Sequence, residues 1–104
     1  MKDIGIAVYR ILQDGCLNGT WSHNNNNGEI FNEIAKRKNP NDNCLCGIYK
    51  YSFIETDLVV HEGELEIIEN RNSYDFTWRE GNDVKFKGIG LRTDNIVSVS
   101  YWAV

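Results

Sequence analysis

The sequence predicts an all-β fold, a small antiparallel up-and-down β-barrel of about eight strands, formed by residues 1–104 as one domain. Three observations carry this prediction. Strand patterns follow one another along the chain at spacings of about a dozen residues, turns included. Polar turn signals separate them. Finally, no segment is long enough as a helix to cover a sheet, so an open sheet would expose its edges, and closure into a barrel removes them.

The clearest strands lie in the last third of the chain. The stretch Tyr74-Asp-Phe-Thr-Trp78 alternates aromatic and polar side chains, as an antiparallel strand with one buried face does. Polar turns at residues 80–83 and 93–95 separate it from two further strands, at 84–91 and 96–102. Three consecutive strands joined by tight turns predict an antiparallel meander.

The first strand is predicted over residues 4–12, with apolar side chains on both of its faces. Gln13-Asp-Gly15 is a strong hairpin signal, and the return strand runs over residues 16–23. That strand places Leu17, Gly19 and Trp21 on one face. The Asn- and Gly-rich residues 22–28 then predict a loop, because both residue types tolerate positive φ.

Residues 29–38 fit two structures. As a helix, they place Ile30, Phe31 and Ile34 on one stripe and pair Glu33 with Arg37. As a strand, they alternate less regularly. Turn signals flank the segment on both sides and a meander needs a neighbouring strand here, so we predict a strand. The turn at residues 39–43 ends either structure.

The middle of the chain contributes two further strands. Residues 44–55 place Tyr49, Tyr51 and Phe53 on one face, and residues 64–70 place Leu65 and Ile67 inward. Between these strands, the short apolar segment 58–61 is predicted to lie in a wide loop that closes one end of the sheet.

Charge and cysteine content restrict the classes of function. The net charge of −4 disfavours nucleic acid as a partner. No apolar stretch approaches the ~18 residues of a membrane span, and the N-terminal apolar run is broken at Arg10, too early for a secretory signal. Cys16, Cys44 and Cys46 are expected to be reduced thiols, because a bridge across one residue is strained. Together these features predict a cytoplasmic protein.

Spaced glycines and aromatic residues run through nearly the whole chain, as in Gly19-Thr-Trp21, Gly47-Ile-Tyr49 and Gly88-Ile-Gly90. This pattern resembles a family of small, largely uncharacterised bacterial β-barrel domains, whose architecture is similar to lipocalin-like and streptavidin-like barrels. The resemblance implies a fold and no chemistry. In true lipocalins the Gly-x-Trp motif lies in the first strand, whereas here it lies in the second. Lipocalin function is therefore not implied.

The inward aromatic side chains are the candidate ligand-binding residues. They are bulky enough to fill a small barrel with a solid core, but Tyr hydroxyls and Trp indole nitrogens also suit a pocket for a small apolar or aromatic molecule. Gly88 and Gly90 either bend their strand or leave room for a ligand or an aromatic ring. The hypothesis of a non-catalytic binding module assigns the ligand to Trp21, Tyr49, Tyr51, Trp78, Tyr101, Gly88 and Gly90.

No motif indicates catalysis, a metal or a cofactor. His23, His61, Cys44 and Cys46 lack the spacing of a zinc site, and the glutamates form no recognisable acid/base pair. We therefore expect a protein that is not an enzyme.

An alternative function rests on the outer face of the barrel. Ile89, Leu91 and Trp102 point outward on two neighbouring strands, and apolar side chains exposed together mark association surfaces. They predict a solid barrel that serves as an interaction module, for example as a homodimer.

Overall fold

The chain folds into a closed barrel of eight antiparallel strands, seen in a computed structural model that describes residues 3–25, 27–38, 44–54 and 58–104. Each strand pairs with its neighbours in sequence, and β8 pairs with β1 to close the barrel. This confirms the predicted all-β up-and-down barrel. The strands are β1 Ile4–Ile11, β2 Leu17–His23, β3 Phe31–Arg37, β4 Gly47–Ile54, β5 Val60–Asn70, β6 Ser73–Glu80, β7 Asp83–Thr93 and β8 Ile96–Ala103.

The ambiguous segment 29–38 forms strand β3 over Phe31–Arg37, as predicted except at its ends. In β3, Phe31, Glu33 and Ala35 are buried and alternate with exposed Asn32 and Ile34. Pairing with β2 on one side and β4 on the other outweighs the helical pattern of the sequence. The turn predicted at residues 39–43 lies outside the described residues.

The prediction of a loop at residues 58–61 is wrong for residues 60 and 61. Strand β5 begins at Val60, which pairs with Ile54, and His61 pairs with Phe53. Strand β4 extends far enough to pair with both Val60 and His61. Strand β5 is therefore longer than the segment in which apolar and polar side chains alternate. Leu58, with φ of 61°, and Val59 precede the strand.

The prediction of three reduced cysteines is also wrong. Cys44 and Cys46 form a disulfide, with their Cα atoms 5.2 Å apart, and Cys16 is the free cysteine. The two residues lie before β4, which begins at Gly47 rather than at residue 44. Because the chain bends there, the extended spacing assumed from a strand does not apply. The predicted cytoplasmic location rested in part on reduced cysteines, and the disulfide removes that part of its support.

The two ends of the barrel interior differ. At the end where β4 begins, buried Leu45 packs into the core, and its carbonyl accepts a hydrogen bond from the Tyr49 hydroxyl at 2.7 Å. Arg37 donates to the Tyr49 hydroxyl at 2.6 Å and to the Cys46 carbonyl at 2.7 Å. Leu45 and Tyr49 therefore occupy the interior at this end, and with Arg37 they also line a second cavity of about 180 Å³.

Aromatic rings lie over bare glycine backbone on the inner wall. A Cβ atom added to Gly88 would come within 3.2 Å of the Trp78 ring, and one added to Gly90 within 2.7 Å of the Phe76 ring. The two interpretations of these glycines were a bend in the strand and room for a ligand or a ring. The structure shows the room, with an aromatic ring over each glycine. The described residues include no helix that could cross a membrane.

Candidate ligand-binding cavity

A cavity of about 60 Å³ lies at the other end of the barrel, where β1 begins and β8 ends. One enclosed water needs roughly 10–15 Å³, so the space admits a group of a few non-hydrogen atoms. Aromatic rings form most of its wall. The lining residues are Asp3, Ala7, Tyr9, Trp21, His23, Glu33, Tyr51, Phe53, Trp78, Phe86 and Tyr101.

The cavity brings together four of the seven residues assigned to the ligand from sequence. Trp21, Tyr51, Trp78 and Tyr101 all line it. Tyr49 instead lies at the opposite end, hydrogen-bonded to Arg37 and the Leu45 carbonyl, and lines the second cavity there. Gly88 and Gly90 lie beneath the rings of Trp78 and Phe76 and are not among the lining residues.

The rings face the cavity from several directions. Tyr101 makes edge-to-face contacts with Trp21, Trp78 and Phe86, at centroid distances of 6.3, 5.9 and 5.6 Å. The Trp21 ring also packs on Phe53 at 5.0 Å, with an interplanar angle of 79°. Edge-to-face contacts of this kind hold the rings at steep angles to one another. These rings therefore surround the cavity, as a box of aromatic rings, and do not form one parallel stack.

Glu33 is one of seven lining residues that were not assigned to the ligand from the sequence. Its side chain is only 4% exposed, although it carries a carboxyl group. The Tyr9 hydroxyl donates to Glu33 Oε2 at 2.9 Å, and Trp78 Nε1–H donates to the same oxygen at 3.4 Å. The inward phase of β3, shared with Phe31 and Ala35, was the signal that could have found it.

The two oxygens of Glu33 differ in their surroundings. Oε2 accepts both of the hydrogen bonds just described. No hydrogen bond from the described residues reaches Oε1. A ligand in the cavity can donate to a carboxyl oxygen that has no partner on such a buried lining residue.

Burial changes the acidity of the site. Loss of hydration raises the pKa of Glu33 from 4.5 to about 7, and the hydrogen bonds from Tyr9 and Trp78 lower it in part. Burial, followed by the nearby Glu33 carboxyl, raises the pKa of Tyr9 well above its usual value, so this hydroxyl keeps its proton. Near neutral pH the carboxyl of Glu33 is therefore present in both protonation states.

Two acidic side chains line the cavity. Asp3 and Glu33 line it, and no Lys or Arg does so among the residues that the structure describes. His23 lies at the rim with its ring stacked on Trp21 at 5.8 Å. The Trp21 indole N–H is buried and has no hydrogen-bond partner in the described part of the chain.

Comparison of the chain with protein-family models, curated proteins and solved structures finds no match. Within the described ranges, no group of three or more His, Cys, Asp and Glu side chains is placed to hold a metal ion. The function of the cavity must therefore be argued from its own geometry.

Proposed function

We propose that the protein is a non-catalytic binding module that holds a small molecule in this cavity. The observation that carries the proposal is the buried carboxyl of Glu33, which lines an aromatic-walled cavity with one oxygen unpartnered by the described residues. Keeping a carboxyl group in such a place costs stability, and a ligand that donates to Oε1 would offset that cost.

The size of the cavity limits the ligand. Cavities that take up benzene measure about 150 Å³, well above the 60 Å³ found here. A small aliphatic group therefore fits the space better than an aromatic ring does. The resemblance to lipocalin-like and streptavidin-like barrels supports the proposal at the level of architecture, since barrels of about eight strands can hold one small ligand.

Filling the cavity tests this function. Ala7 lines the cavity from β1, and Ala7→Met adds a flexible side chain that would occupy it. Native mass spectrometry of freshly purified protein, followed by denaturation, is expected to show an added mass that denaturation releases. We expect Ala7→Met to abolish this added mass, because the ligand and the Met side chain compete for the same space.

Val8→Met is the matched control. Val8 is the next residue of β1, points outward and is 43% exposed, so the same side chain there leaves the cavity unchanged. An added mass that persists in Ala7→Met and falls in Val8→Met would contradict a ligand in this cavity. A protein that releases no mass in any form would contradict the proposed function.

A second candidate function, self-association, is favoured by an apolar stripe on the outer wall. Exposed side chains of β1 and β7 flank two serines of β8, in the registers Ile6–Ser100–Ile89 and Val8–Ser98–Leu91. We call these apolar side chains the outer stripe: Ile4, Ile6, Val8, Ile89 and Leu91, exposed by 43–65%. Trp102, which pairs with Ile4, is half-buried at its end.

This candidate predicts that the protein sediments as a homodimer through Ile89, Leu91 and Trp102. The double substitution Ile89→Lys and Leu91→Lys is then expected to give a monomer, because each protomer would have to bury two charges in the interface. Sedimentation velocity measures the change. Ile54→Lys with Ile68→Lys, two exposed positions outside the outer stripe, should leave the dimer intact. A monomeric wild-type protein would eliminate this candidate.

A further inference from the structure

We propose that the ligand of this cavity is a small protonated amine, whose ammonium group donates to Glu33 inside the box of aromatic rings. This inference rests on the proposed binding function and names the chemical class of the ligand.

The hydrogen bonds of Glu33 indicate what is missing. Tyr9 and Trp78 both donate to Oε2, and no Lys or Arg lines the cavity among the described residues. A buried carboxylate needs an opposite charge, and neutral donors alone do not supply one. An ammonium group brings a positive charge and three N–H donors to the unpartnered Oε1.

The aromatic wall favours the same ligand. The faces of aromatic rings carry negative electrostatic potential and attract cations, most strongly when water is excluded. Trp21, Trp78 and Tyr101 lie at steep angles to one another and line the same cavity as the Glu33 carboxyl. An anionic ligand would meet unfavourable charge here, because Asp3 also lines the cavity.

The groups that face Glu33 determine how binding depends on pH. Tyr9 from β1 and Tyr51 from β4 have pKa values raised by burial and stay neutral, and Trp78 from β6 does not titrate. The residues paired beside Glu33, Gly19 and Phe53, carry no charge. Asp3 and His23 lie at the rim. Loss of a proton from Glu33 is therefore the step that prepares the inner site for a cation.

The test uses two probes of equal size. Propylammonium chloride and 1-propanol each have four non-hydrogen atoms in the organic molecule, and they differ in the charge of one terminal group. Calorimetric titration and the indole NMR signals of Trp21 and Trp78 report binding. We expect propylammonium to bind the wild-type protein more tightly than 1-propanol does. Its affinity should fall by up to about tenfold for each pH unit below the pKa of Glu33, since the ligand must then displace a proton.

Substitutions assign the effect to Glu33. Glu33→Gln keeps an oxygen that can accept from Tyr9 and Trp78 but removes the charge, so we expect propylammonium affinity to fall about 10- to 100-fold. The pH dependence of propylammonium binding should disappear as well. Glu29→Gln removes the same charge from an exposed position before β3 and should leave binding unchanged.

The outcomes separate this inference from the function on which it rests. Equal binding of the two probes, or unchanged propylammonium binding in Glu33→Gln, would overturn the amine and leave the cavity as a site for neutral ligands. If neither probe shifts the Trp21 and Trp78 signals and no mass is released from the purified protein, both proposals fail. The comparison of the two probes and the pH series use the wild-type protein, so neither depends on the folding of a variant.

Discussion

The wild-type protein is expected to lose about 3 kcal/mol of unfolding free energy as the pH rises from about 4.5 to about 7, and Glu33→Gln is expected not to show this loss. The cause is the burial of Glu33. Each pKa unit corresponds to about 1.36 kcal/mol, so the rise of the Glu33 pKa from 4.5 to about 7 corresponds to about 3 kcal/mol.

The direction of this effect follows from the protons bound in each state. The folded protein holds the proton of Glu33 more tightly than the unfolded chain does. Below pH 4.5 both states are protonated and the full stability is present. Between 4.5 and about 7 the folded state carries more protons, so the unfolding free energy falls as the pH rises. Above this window both states are ionised, and the buried charge exerts its full cost.

Urea denaturation across this pH range measures the effect as the difference between wild type and Glu33→Gln. Other carboxyl groups contribute equally to both proteins. Glu64, for example, has its pKa lowered by Lys38, which opposes the trend, but this contribution cancels in the difference. Glu29→Gln serves as the control and should follow the wild type. If the unfolding free energies of wild type and Glu33→Gln change with pH in the same way, the Glu33 carboxyl is not buried as it is in the structure.

A group that costs stability at neutral pH calls for a role outside folding. Hydrophobic residues occupy the other inward positions of β3, Phe31 and Ala35, and a residue of that kind at position 33 would avoid the cost. Glu33 instead lines the cavity, and both of its hydrogen bonds from the described residues reach Oε2 and leave Oε1 unpartnered by them. Departures from consistent folding rules concentrate at functional sites, which is why we assign the ligand to Glu33.

The strands and most of the interior residues could be predicted from the sequence, because apolar and polar side chains alternate along most of the strands. Tyr74, Phe76 and Trp78 alternate with polar residues, and the structure places all three on the inner side. In β1 this signal fails, because Ile4, Ile6 and Val8 are apolar but exposed. The inner face there consists of Ala7 and Tyr9. Apolar character alone could not decide between the two faces of this strand.

The acid in the cavity could not be predicted, because its partners come from distant strands. Tyr9 and Trp78 lie 24 and 45 residues from Glu33 in the chain. Their meeting depends on barrel closure and register, which one strand's pattern does not contain. The pairing of glycines with rings has the same origin: Gly19 lies beneath Tyr9 of the neighbouring strand, as Gly88 lies beneath Trp78.

Gly63→Ala is expected to destabilise the barrel by about 3 kcal/mol or more, the largest loss that we predict for a single added methyl group. A Cβ atom at Gly63 would overlap the Arg79 carbonyl group and lie 2.8 Å from the Tyr51 hydroxyl. The carbonyl belongs to the backbone, so it cannot move as a flexible side chain would. The register of β6 and β7 shifts between Trp78 and Arg79, next to this contact.

Urea denaturation of Gly63→Ala and Gly81→Ala tests this steric argument. Gly81, in the β6–β7 turn, has φ of 62° and no atom within 4 Å of an added Cβ, so only backbone strain of about 1 kcal/mol is expected. Similar losses in the two variants would show that β5 can move away from Arg79. A much larger loss in Gly63→Ala would locate the restraint at the Arg79 carbonyl. The Tyr51 hydroxyl donates to that carbonyl at 3.4 Å, so the glycine that admits this contact also positions a ring of the cavity wall.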